Sequence, residues 1–135
     1  MITEMMSDNA EAGSLYRIVG IGTDLIESAR VEKACRKDTF VEKCFTEKEK
    51  ELIRRHKGAA ANNFAVKEAV AKSFGCGFSG ISLLEIEVLR DEKGAPYVVL
   101  YNRAKKMADN LGIREIHVSI SDTKELSSAF VVCSS

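Results

Sequence analysis

The stretch FAVKEAVAKSFGCG, residues 64–77, constrains the fold more than any other part of the chain. Read as a helix, it has apolar or small residues on nearly every side, and a helix of that kind belongs in a protein interior. Yet Lys67, Glu68 and Lys72 stand inside this wrapping, and a buried charge is costly unless a partner compensates it. The fold must therefore bury this helix and still give three charges a purpose.

At roughly 100° per residue, Glu68 and Lys72 share one stripe of the helix, with Lys67 to one side across Phe64 and Ala71. Ala65, Ala69 and Ala71 leave room for another backbone or a ligand to come close. The commonplace explanation is an exposed i,i+4 Glu–Lys pair, worth about a few tenths of a kcal/mol. Such a pair has no need of alanine, valine and phenylalanine around it.

Elsewhere the pattern is mixed. Ile18, Val19 and Ile21 in RIVGIGTD predict a strand whose glycines allow close packing at its end, followed by a helix from Leu25 to about Arg36. Residues 40–45 are apolar at intervals that fit no single period. TEKEKELIRRHKG is an explicit helix: Thr46 and Glu49 form a capping box, acids fill the first turn, Arg54, Arg55 and Lys57 the last, and Gly58 is its stop. Its charges are accounted for by the helix alone. Asn62 or Asn63 is then the expected cap of the helix over 64–77, with Gly75 and Gly77 ending it.

ISLLEIEVLRDEKGAPYVVLYN alternates as two strands around DEKG, and NRAKKMADNLG is a helix with Asn102 as its cap and Gly112 as its stop. EIHVSISD and SSAFVVCS give a last pair of strands, with Ile116, Val118 and Ile120 on one face and His117, Ser119 and Ser121 on the other. Pro96 opens a strand, where a missing N–H is tolerated. The order strand, three helices, hairpin, helix, hairpin predicts an α+β fold with a mainly antiparallel sheet.

The 135 residues suit one domain, expected over 17–135. Residues 1–16 have neither the basic region nor the apolar run of a secretory signal, and read as a poorly ordered extension. Twenty basic residues balance twenty acidic ones, so no global field draws the chain to nucleic acid or membrane. No stretch reaches the ~18 apolar residues of a membrane span. Cys35, Cys44, Cys76 and Cys133 stand far apart without a C-x-x-C pair, which points to reduced thiols and a cytoplasmic location.

Three further groups are candidates for chemistry. Asp24 stands where the glycine-rich strand gives way to a helix; with Glu27 it makes a box-like N-cap, or with Glu68 it supplies two carboxylates of a Mg²⁺ site completed by water and phosphate. His117, Ser119 and Ser121 form either a solvated strand face or the donors of a cleft. Arg30, Lys33 and Lys37 recur at i, i+3 and i+7, with Arg36 and Lys43 nearby: a solvated face, or a dock for an acidic helix. GIG alone is weak evidence for nucleotide binding.

Taken in this order, GIGTDLIESAR, FTEKE, NFAVKEAVAKSFGCG, DEKGAPY and HVSISDTK resemble the holo-acyl-carrier-protein synthases, small phosphopantetheinyl transferases, over residues 17–133. The resemblance implies their fold and a homotrimer with an active site at each subunit interface. It implies Mg²⁺ held by Asp24 and Glu68 with the pyrophosphate of coenzyme A, and Lys72 facing the phosphates. Gly75 and Gly77 would allow close approach to coenzyme A, with His117 and Ser121 at the same pocket. Arg30, Lys33, Lys37 and Lys43 would dock the acidic helix of an apo-acyl carrier protein. The reaction implied is attack of a carrier serine on the β-phosphorus of coenzyme A, releasing adenosine 3′,5′-bisphosphate, in fatty acid biosynthesis. The proton acceptor is Glu68 or a water oriented by Asp24.

This sequence departs from the family pattern at Asn63, where a basic residue is frequent, at Asp122, where a histidine is expected near the ligand phosphates, and at GAP in place of GKP. Two other readings compete: a non-catalytic module that binds an acidic helix, with Glu68 and Lys72 as a core pair, and a small magnesium-dependent nucleotide hydrolase.

Overall fold

The computed structural model describes residues 16–135, so the extension expected at residues 1–16 lies, all but its last residue, outside the described part. The elements run β1 (Ile18–Glu27), α1 (Ser28–Ala34), α2 (Asp38–Cys44), α3 (Glu47–Arg55), α4 (Gly58–Ser73), a 3₁₀ turn (Leu83–Glu85), β2 (Ile86–Arg90), β3 (Pro96–Leu100), α5 (Asn102–Asn110), β4 (Glu115–Asp122) and β5 (Leu126–Ser134). All strand pairs are antiparallel, in a three-stranded sheet of order β1-β5-β4 and a separate hairpin β2-β3. The α+β class holds, with one more helix in the first half than the pattern predicts.

The differences have local causes. β1 runs to Glu27 because its ladder with β5 continues through Leu25, Ile26 and Glu27, so α1 starts later than Leu25 and ends at Ala34. The irregular apolar spacing of residues 40–45 becomes the short helix α2. Gly58 does not stop α3; His56 already leaves helical geometry, and Gly58 opens α4. Asn62 and Asn63 therefore lie within α4 and cannot cap it. Thr46 and Glu49 do form the expected capping box. Asn102 begins α5 at φ 48° without a side-chain cap; instead the carboxylate of Glu85 accepts the backbone N–H groups of Arg103 and Ala104.

The core is α4 laid on the inner face of the three-stranded sheet. Ala65, Val66, Ala69 and Val70 pack with Ala129, Val131 and Cys133 of β5 and with Ile86 and Val88 of β2. A satellite cluster of Val31, Cys44, Phe45, Ala60 and Ala61 closes α1 and α2 over the start of α4. Gly20 and Gly22 set the distance of β1 from α4. A Cβ on Gly20 would stand 2.0 Å from the carbonyl oxygen of Ser73, and one on Gly22 1.9 Å from that of Ala69. Two strand residues span ~6.6 Å and four helical residues ~6 Å, so the two contacts fall in register along the elements.

Candidate active site

That register places Asp24. Gly20, Gly22, Asp24 and Ile26 alternate onto the inner face of β1, and one further step along β1 brings Asp24 beside Glu68 and Lys72. Lys72 Nζ donates to Asp24 Oδ1 at 3.2 Å and to the Thr23 carbonyl oxygen at 2.9 Å. Asp24 is not a helix cap: α1 begins four residues later, after Glu27, which itself makes no side-chain cap bond. Its side chain is only 13% exposed, and Oδ2 is buried with no hydrogen-bond partner among the described residues. Burial and then the neighbouring charge of Asp24 push the Glu68 carboxyl above the ordinary carboxylate range, with Lys72 opposing.

Two acids that feel each other's charge, one with an oxygen that no donor meets among the described residues, offer a donor set for a hard cation. The residues fit Mg²⁺, which takes one or two carboxylates and completes its shell with water and phosphate. The described residues contain no group of three or more His, Cys, Asp and Glu that could hold a metal ion.

Lys67 has a different fate. It is fully buried and donates to Glu49 Oε1 at 2.7 Å and to the carbonyl oxygens of Leu83 (2.8 Å) and Ile86 (2.6 Å). Glu49 also accepts from the backbone N–H groups of Thr46 and Val88 and from Asn63 Nδ2. Burial pushes the Glu49 carboxyl up and the Lys67 ammonium down, and each partner pulls the other back. The charges of α3 are thus not all explained by its own helix, since Glu49 is the counter-ion of the core lysine. Asn63 is turned inward to Glu49 and the Val88 carbonyl, so it replaces a basic residue with a buried structural amide.

His117 and Ser121 do not join the cluster within one chain. Cross-strand rows put Ile21, Val132 and His117 on one line, Thr23, Phe130 and Ser119 on the next, then Leu25, Ser128 and Ser121. These rows face away from α4, whereas Asp24 lies in the row of Ala129 and Ile120, which faces it. His117 Nε2 contacts Ser134 Oγ at 3.1 Å. Asp122 falls on the inner face and accepts from Asn62 Nδ2 at 3.0 Å, while Asn62 Oδ1 accepts from the Ser127 hydroxyl. Gly75 and Gly77 follow α4 at φ 81° and 57°, with open space where a Cβ would stand.

The basic residues are less regular than their spacing implies. Arg30, Lys33, Lys37 and Lys43 are all exposed, but α1 ends at Ala34, so Lys37 sits in the link and Lys43 on α2 rather than on one helical stripe. Arg30 borders a groove of about 460 Å³ lined by Leu25, Ile26, Val31, Phe40 and Phe64. Sequence reasoning did not anticipate this groove, because its walls come from β1, α1, α2 and α4. A larger cleft of about 830 Å³ lies toward the start of α4 and includes Lys48, Arg55, Arg90, Asn62 and Asp122. Asp24, Glu68 and Lys72 do not line it.

Residues 20–125 match the family model described as the 4′-phosphopantetheinyl transferase superfamily. The chain is 55% identical over 115 residues to a holo-[acyl-carrier-protein] synthase of Lachnoclostridium phytofermentans, covering 85% of this chain and 94% of that protein. Among solved structures it is similar to the Helicobacter pylori holo-[acyl-carrier-protein] synthase in complex with coenzyme A, with a TM-score of 0.75, 31% identity and coverage of 84% of this chain and 98% of that one. It is also similar to the Bacillus anthracis holo-(acyl-carrier-protein) synthase in complex with CoA (3′,5′-ADP), with a TM-score of 0.72, 35% identity and coverage of 87% and 97%.

Proposed function

This chain belongs to the 4′-phosphopantetheinyl transferase superfamily, and we propose that it moves 4′-phosphopantetheine from coenzyme A to a serine of an apo-acyl carrier protein, with adenosine 3′,5′-bisphosphate as the other product. The observation that carries this reading is the meeting of Asp24 with Glu68 and Lys72 from two separate elements, with Asp24 Oδ2 buried and without a donor among the described residues.

In this reading Asp24 and Glu68 hold Mg²⁺, which when bound neutralises charge on the pyrophosphate. Lys72, half exposed at the rim, places its ammonium against the same phosphates and the departing bisphosphate. The carrier serine forms the new P–O bond at the β-phosphorus while the bond to the bridging oxygen of adenosine 3′,5′-bisphosphate breaks. Its proton passes to Glu68 or to a water held by Asp24. Gly75 and Gly77 leave the backbone open to the ligand. The cleft at Asn62 lies ~9 Å back along α4 from Glu68; its lining mixes the cations Lys48, Arg55 and Arg90 with the acids Glu51, Asp91, Glu92 and Asp122.

The carrier docks on Arg30, Lys33, Lys37 and Lys43, where charge steers an acidic helix and the Arg30 groove accepts an apolar side chain. A homotrimer belongs to the same reading. Ile21, Leu25 and Phe130 are 60%, 65% and 48% exposed on the outer sheet face that also carries His117 and Ser121. A second copy seated there would cover the apolar face and could lend its Asp24–Glu68 cluster the His117 and Ser121 that its own chain turns away. A single transferase domain over 17–135 and a cytoplasmic location complete the proposal; no helix among the described residues is long and apolar enough to cross a membrane.

The test is mass spectrometry of an apo-acyl carrier protein incubated with this chain, coenzyme A and Mg²⁺, with and without EDTA. One added phosphopantetheine mass that depends on free metal is the expected result. No added mass with several active carriers would overturn the reading.

A further inference from the structure

We propose that Lys67, which touches neither metal nor substrate in the reading above, is a positioning residue that fixes the rotation of α4 and so aims Glu68 at Asp24. The inference rests on that reading of Asp24 and Glu68 as one site. Consecutive helical residues are ~100° apart, so Glu68 projects midway between its neighbours Lys67 and Ala69. Both neighbours are clamped. On one side, the Ala69 and Ser73 carbonyls lie against Gly20 and Gly22 of β1, with no room for even a methyl group. On the other, the three hydrogen bonds of Lys67 hold it to α3, the 3₁₀ turn and β2. Asn63, one turn earlier on the same face, is fastened to Glu49 and Val88.

The glycine contacts are backbone against backbone and resist approach, but they carry no directed bond against a roll of the helix. Lys67 and Asn63 supply directed bonds, and α4 has almost no amphipathic preference of its own, being buried along Ala59–Ala61, Val66, Ala69 and Val70 alike. A helix apolar on nearly all sides gains little from one azimuth over another. The Lys67–Glu49 pair chooses the azimuth, and with it the direction of Glu68. Outer-shell groups that orient a ligand in this way typically govern metal affinity by ten- to a hundredfold.

The test uses the full chain with Lys67→Met, and with Lys67→Met combined with Glu49→Gln, which leaves no unpaired buried charge. Three quantities are measured on each: melting temperature, affinity for Mn²⁺ alone by water-proton relaxation, and the ¹³C resonances of the Glu68 and Asp24 carboxyls at one neutral pH. The expected result is a folded double variant that binds Mn²⁺ roughly tenfold more weakly and shows a displaced Glu68 resonance. A residue that mattered only for stability would lower the folded fraction and change neither property of the folded molecules. A folded variant with wild-type Mn²⁺ affinity and an unmoved Glu68 resonance would overturn the proposal. So would failure of both variants to fold, which would reduce the pair to a requirement for folding. If wild-type protein bound no Mn²⁺, the metal-site reading would fail instead, and the Glu68 resonance alone would decide whether Lys67 aims it.

Discussion

Two charge clusters sit on one helix and differ in how completely they are satisfied. Around Lys67 every ammonium proton has an acceptor, and Glu49 accepts from four donors; both side chains are fully buried, and what is left without a partner among the described residues is a neutral amide oxygen, Asn63 Oδ1. Around Glu68 the balance is short: two carboxylates face one half-exposed lysine, and Asp24 Oδ2 meets no donor among the described residues. An ion pair satisfied in this way holds structure, because removing either member strands a buried charge. A partly satisfied one is tolerated where a ligand supplies the missing charge. The pattern of charges along residues 64–77 shows six residues spanning both clusters and cannot tell one from the other.

The contrast can be broken from either end. The largest effect is expected inside: Lys67→Ala leaves Glu49 buried without its cation and should cost roughly 3–5 kcal/mol of stability, read by urea or thermal unfolding. A loss below about 1 kcal/mol would mean that Lys67 is not the buried counter-ion of Glu49. Outside, Glu68→Gln should lower transfer by roughly 10²–10³-fold while the chain stays folded, measured as the rate of carrier modification. A near-wild-type rate would remove Glu68 from the site.

Mixing two inactive variants sharpens the placement of His117. If Glu68→Gln and His117→Ala subunits are denatured and reassembled together, sites that combine an intact Glu68 with an intact His117 from another copy should restore roughly a quarter of wild-type activity, as random pairing of equal parts across one interface requires. Restoration absent in a reassembled oligomer would place the whole site within one chain. A smaller effect, roughly tenfold in KM for the carrier with kcat held, is expected for Arg30→Glu, since rim charges act mainly on encounter. An unchanged KM would move the dock elsewhere.

The smallest effect concerns acid. Burial and Asp24 raise the Glu68 pKa in the folded chain, so its contribution to stability is present in acid, below its unfolded pKa, and is lost as pH rises through the raised folded value. Metal-free Glu68→Gln should therefore melt slightly higher than wild type at neutral pH, and Mg²⁺ should stabilise wild type but not the variant. Activity has the opposite sign, because ligation needs the carboxylate: protons compete with Mg²⁺ for Glu68, so the rate should fall as pH is lowered, and higher Mg²⁺ should offset the fall. A lower melting point for metal-free Glu68→Gln would show that Glu68 is a favourable partner rather than a strained one.

Much of this was legible in the residues. The α4 stretch announced a buried helix, the capping box at Thr46 and Glu49 formed, and the alternation of β4 sorted Ile116 from His117 correctly. Boundaries were less legible where long-range pairing overrode local pattern, as when the ladder with β5 carried β1 past Leu25 and delayed α1. Lys37 lost its place on a helical stripe because α1 ends at Ala34. Asn63 and Asp122 stood out as departures from a family pattern, but their partners, Glu49 and Asn62, are far away in sequence and no local rule connects them.

By itself the sequence determined the class of fold, the burial of α4, and the order of motifs that the family shares, because helical and strand periodicity, capping and turn chemistry act over a few residues. Only the tertiary structure decided which of three neighbouring charges is structural. Lys67 finds its counter-ion 18 residues back, Lys72 finds Asp24 48 residues back, and His117 is turned to the other side of the sheet. The physical reason is that a charge is defined by the field it stands in. That field is made by groups the chain brings together from a distance, through two glycines that let β1 touch α4 and a lysine that holds the helix in place.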